Sequence, residues 1–69
     1  MNTNNIKIEG LKGTYYIISE NYYLGKKYYL LESEQYGEDI GHIVTDKNFK
    51  VRYTNVWDGW EEIDEYFNC

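Results

Sequence analysis

The chain has 69 residues, 12 of them acidic and 7 basic, giving a formal charge of −5. A chain this short has a thin core, which suits one domain and excludes a deep, walled active site beside an independent core. Nine Tyr, two Trp and two Phe without a single Pro exclude a disordered acidic chain, and the rings supply the apolar area that a small core needs.

In chain order, Met1 to Asn5 reads as a flexible tail, and residues 6–69 as one small domain. Ile6 to Glu9 alternates and suits a short edge strand. Tyr15 to Ile18 is β-branched and aromatic, the composition of a strand. Tyr22 to Leu24 extends it if Glu20 and Asn21 form a bulge, or follows it if they form a turn. Gly25 and Lys26 then turn the chain into a second strand, Lys27 to Glu32. Ser33 to Asp39 is a polar loop, Ile40 to Thr45 a third strand, and Asp46 to Asn48 a turn rich in residues that bond to their own backbone. Phe49, Val51 and Tyr53 alternate with Lys50, Arg52 and Thr54, which predicts a strand with one buried and one wet face.

The C-terminus changes period. Asp58 and Glu61 have the spacing of a capping box, and Trp60, Ile63 and Phe67 fall on one helical face with Tyr66 at its margin. Glu61, Glu62, Asp64 and Glu65 cover the other side. A helix this short persists only when packed on a sheet. The expected architecture is α+β: a curled antiparallel sheet of three to five strands with one C-terminal helix across a face.

Catalytic chemistry is thinly represented. Nucleophilic catalysis needs a base beside a nucleophile, and the chain has one His, His42, within a strand, and Ser only at 19 and 33. Walker, dinucleotide and G-x-S-x-G motifs are absent, so no enzyme activity and no cofactor is expected. Cys69 lacks an intrachain partner, which excludes a disulfide framework and a thiolate zinc site. The acids around Asp58 lack the spacing of a calcium loop, so no metal is expected. No stretch approaches roughly 18 apolar residues, and the N-terminus lacks a signal-peptide pattern. A location in the host cytoplasm, away from membranes, is expected.

Charge is divided unevenly. Residues 1–31 carry +2, whereas residues 32–69 carry −7 and both Trp. An acidic surface repels nucleic acid but suits a basic groove on another protein. Each Tyr pair (15/16, 22/23, 28/29) should turn one ring inward and one outward. The candidate partner-binding residues are Glu34, Tyr36, Glu38, Asp39, Trp57, Glu61, Glu62 and Glu65. A second reading is an oligomeric module that sequesters a nucleotide-like ligand between rings. Its phosphate would have to be neutralised by seven scattered cations, and the residues leave the oligomeric state open.

The run Tyr28–Asp39, followed by Val56–Ile63, resembles the large-polyvalent-protein-associated domains, small α+β modules of phages and conjugative elements. The similarity covers roughly residues 27–66 and leaves residues 1–26 outside. It rests on a strand ending in Leu31-Glu32, a loop with Tyr36 and Gly37 before acids, and Asp58-Gly59-Trp60 entering a helix. The resemblance carries no catalytic constellation. It implies a phage or mobile-element protein similar in character to counter-defence inhibitors, anti-CRISPR proteins included. Such a protein would bind a host protein that handles nucleic acid, a CRISPR effector for instance, through a basic surface on that partner.

Overall fold

The computed structural model describes residues 6–68; the tail expected at Met1–Asn5 and the terminal Cys69 lie outside the described residues. Five strands, β1 (Ile6–Lys7), β2 (Thr14–Tyr23), β3 (Lys26–Ser33), β4 (His42–Asp46) and β5 (Val51–Val56), precede one helix, α1 (Trp60–Phe67). The strands pair in sequence order, each antiparallel to the next, so the α+β expectation is met.

Both faces of the sheet are covered. On one, α1 places Ile63 over Tyr28, Leu30, Val44 and Val56, with Tyr23, Tyr53, Trp60 and Phe67 around them. On the other, Ile8, Tyr15, Leu31 and Ile43 pack with Ile17, Tyr29, Phe49 and Val51. Adjacent residues on β3 therefore feed opposite cores: Tyr28 and Leu30 one, Tyr29 and Leu31 the other. The one-in, one-out expectation holds for Tyr15/16 and Tyr22/23. It fails for Tyr28/29, because Phe49 stacks on Tyr29 with ring centroids 5.3 Å apart.

The alternation read along β5 is also corrected. Thr45 pairs with Val51, Val44 with Tyr53, and His42 with Val56, so β5 carries an extra residue at each step. The first bulge moves Tyr53 to the helix side while Val51 stays on the other. The second, where Asn55 takes φ 55, returns Val56 to the helix side beside Tyr53. Gly41 accommodates this kink: a Cβ there would stand 2.6 Å from the Asn55 Cα.

Two turns differ from expectation. β2 runs unbroken through Glu20 and Asn21, and its irregularity falls at Ile18, between Ile17 and Ser19. The hairpin turn is Leu24–Gly25, since Lys26 already pairs with Tyr23; both turn residues have positive φ, at 53 and 78. That is the geometry of a type I′ turn, whose backbone matches the twist of the flanking strands.

The helix start is built differently from a capping box. Gly59 occupies the N-cap position with φ 64, and among the described residues no side chain caps the helix, so Asp58 does not take the expected role. Glu62 reaches back instead and accepts from the Trp57 N–H at 3.0 Å and the Asp58 N–H at 3.3 Å. On the β2 side, Trp60 donates its indole N–H to the Ser19 hydroxyl at 2.9 Å, and Tyr23 donates to Asp64. Burial first, and that bond second, push the Tyr23 hydroxyl up to about 12.

Candidate functional site

Antiparallel pairing gathers one set of loops at one end of the sheet. β3 finishes at Ser33, β4 starts at His42, and His42 pairs with Val56 at the finish of β5. The loop 34–41 and the Trp57–Gly59 segment therefore share that end. It carries Glu34, Tyr36, Glu38, Asp39, Trp57 and Asp58, six residues from two separate stretches of chain.

Tyr36 is 61% exposed and Trp57 59% exposed. Neither backbone is loose. Ser33, itself buried, accepts the Tyr36 N–H on its hydroxyl at 3.1 Å, and its carbonyl accepts the Gly37 N–H at 2.9 Å. The Asp39 N–H returns to the Tyr36 carbonyl at 2.9 Å. Trp57 is held by the Glu62 carboxylate described above. Two large rings are thus displayed on fixed backbone, which lowers the ordering cost of a contact.

The eight candidate residues divide by what they touch. Glu38 and Asp39 are exposed in the loop, with their side chains directed to neither core. Glu34, also exposed, accepts from the Thr14 hydroxyl at 2.9 Å and so ties the loop to β2. Glu61 is exposed on the first turn of α1, and Glu65 is exposed one turn further from this end. Glu62 is structural as well as acidic. Besides the two N–H groups it accepts the Tyr66 hydroxyl at 2.7 Å, and that bond, with the N–H donors after it, holds its carboxyl below the usual range. The structure brings the loop acids, Tyr36 and Trp57 to one end, and it gives the Glu62 carboxylate three donors within the chain.

Next to these loops lies a polar row on the helix side of the sheet. Glu32 accepts from the Tyr16 hydroxyl and lies 3.0 Å from His42 Nε2. Tyr16 first, and His42 second, hold the Glu32 carboxyl below its usual range. His42 thus lies in a strand, as its sequence position suggests, with a carboxylate partner. Its Nδ1 is buried, with no hydrogen-bond partner among the described residues. Among the described residues no group of three or more His, Cys, Asp or Glu is disposed to hold a metal ion, and no helix is long and apolar enough to cross a membrane.

Sequence reasoning missed the exposed Leu24 at the opposite end, where only an outward ring from Tyr22/23 was expected. Leu24 at the hairpin tip is 87% exposed, and Tyr22 beside it is 59% exposed. The signal available was a Leu directly before Gly25, in a turn position where Asn or Asp is usual.

The comparisons with known proteins agree with the resemblance and enlarge it. The family model described as Large polyvalent protein-associated domain 18 matches residues 1–67. The match includes residues 1–26, which lie outside the resemblance carried by residues 27–66. No curated protein and no solved structure matches.

Proposed function

We propose, from the premise that the chain belongs to the large polyvalent protein-associated domain 18 family, that it is a non-enzymatic inhibitor or adaptor encoded by a phage or other mobile element. Its acidic, aromatic end docks on a basic surface of a host protein, one that handles nucleic acid, such as a CRISPR effector. The observation that carries this reading is the pair of exposed rings, Tyr36 and Trp57, fixed on hydrogen-bonded backbone at the same end as Glu34, Glu38 and Asp39.

The division of labour follows from the chemistry. Rigid aromatic side chains in an interface provide most of the desolvated contact area, while charges at its rim steer the encounter. Glu38 and Asp39 supply the steering charge, and Trp57 and Tyr36 the anchors. Glu62 contributes indirectly, by holding the Trp57 backbone.

Capture from host lysate on the immobilised chain, at low and at high salt, tests the reading when run with variants. The wild type should retain a specific host protein at low salt and release much of it at high salt. Trp57→Ala and the double variant Glu38→Lys/Asp39→Lys should each lose it. Equal capture by wild type and both variants would overturn the assignment of this end.

A further inference from the structure

At the other end of the sheet, Tyr28 pairs with Asp46, which sets the Leu24–Gly25 turn beside the turn that follows β4. Between them lies an open cleft of about 500 Å³, walled by Tyr22, Lys26, Lys27, Asp46, Lys47 and Asn48. Lys26 and Lys27 come from the basic half of the sequence and Lys47 from the acidic half; the strand register alone unites them. Among the described residues the wall holds one carboxylate, and it is already engaged. Asp46 accepts the N–H groups of Asn48 at 2.8 Å and Lys50 at 3.1 Å. Lys27 pairs with Glu20 at 3.3 Å and lies over the Tyr29 ring. Among the described residues, neither Lys26 nor Lys47 has a carboxylate at ion-pair distance. Cation is thus in excess here, in a chain whose formal charge is −5.

We propose that this cleft binds a small phosphate-bearing ligand, a nucleoside mono- or diphosphate, with the phosphate between Lys26 and Lys47 and the base against Tyr22. The volume is that of a small-molecule site. The exposed Tyr22 ring offers a stacking face, and its backbone is held by the Asn21 side chain, which accepts the Tyr22 N–H at 2.8 Å. A compact ligand is favoured over a polymer, because a long polyanion leaving the cleft meets the net negative charge of the remaining surface. The site is remote from the acidic end and stands or falls independently of the docking reading.

The test is an amide NMR titration of the full chain with inorganic phosphate, with ADP, and with a short single-stranded oligonucleotide. ADP should shift the amides of Tyr22, Lys26, Lys47 and Asn48 saturably, and phosphate alone should shift the lysine amides more weakly. Lys26→Glu/Lys47→Glu should weaken ADP binding by about tenfold or more. Tyr22→Ala should weaken ADP by roughly tenfold while leaving phosphate unchanged, since stacking is lost and charge is kept. These lysines are surface residues, so the amide spectrum should otherwise stay native; if the double variant fails to fold, the single changes Lys26→Ala and Lys47→Ala carry the same comparison. Absence of saturable shifts with ADP, or shifts undiminished in the lysine variants, would overturn the proposal. Tighter binding of the oligonucleotide than of ADP would overturn the assignment to a small ligand.

Discussion

Leu24 holds φ 53 while 87% exposed, a backbone state that residues other than Gly, Asn and Asp seldom adopt. Nothing in either core depends on its side chain. Leu24→Asn should therefore relieve strain and stabilise the fold by about 0.5–1 kcal/mol, read as a rise of several degrees in melting temperature. Gly41 presents the opposite case. A Cβ at this buried position would stand 2.6 Å from the Asn55 Cα and 2.8 Å from its carbonyl carbon, both backbone atoms of a bulged strand that cannot yield cheaply. Gly41→Ala should cost about 1–3 kcal/mol in denaturant unfolding. A neutral result would show that β5 shifts freely and that its bulges are soft. Phe49 also sits at positive φ, at 63, but there the stack on Tyr29 offsets the strain.

At the scale of elements, α1 is held by Ile63 and not by a side-chain cap. Ile63 is fully buried against β3, β4 and β5, so Ile63→Ala should cost about 2–5 kcal/mol. Asp58→Ala should stay within about 0.5 kcal/mol, because the Asp58 carboxylate caps nothing. Chemical denaturation of the two variants separates this account from a capping box, which would make Asp58→Ala costly. The helix itself was legible: Trp60, Ile63 and Phe67 pack where their spacing placed them, and its apolar face is the one that docks. The strands were legible as runs of Tyr, Ile, Leu and Val. What the pattern could not reveal was that both sheet faces are covered, so alternation along β3 carries no polar partner face. The two bulges of β5 were equally hidden, since an extra residue changes which side Tyr53 faces without altering its neighbours in sequence. The candidate site was half legible. Tyr36, Glu38, Asp39 and Trp57 could be picked by type, but the role of Glu62 in fixing Trp57 needs the helix start to be seen.

The whole molecule has a polarity along its strands, with the loop acids, Tyr36 and Trp57 at one end and the Lys26, Lys27 and Lys47 cluster at the other. Acid should destabilise it. Glu32 is held low by the Tyr16 hydroxyl and His42, Asp46 by the Lys50 and Asn48 N–H groups, and Glu62 by Tyr66 and the Trp57 N–H. A carboxyl lowered on folding contributes stability that is fully present above its ordinary value, 4.5 for Glu and 3.8 for Asp, and lost as pH falls through the lower folded value. Melting temperature should thus hold steady well above pH 4.5 and fall below it; the fall should be shallower in Glu62→Gln, which lacks one of the three groups. The same bonds bear on docking. Reversing Glu62 along with Glu61 and Glu65 would damage the helix start as well as the charge, so the loop acids are the cleaner probe. The most direct test of the docking account is the association rate with the captured host protein, measured against salt for wild type and for Glu34→Lys/Glu38→Lys/Asp39→Lys. Wild type should associate faster at low salt, by about tenfold or more, and the two rates should converge as screening shortens the reach of exposed charges. Equal rates at every salt concentration would contradict the claim that this acidic end meets the partner.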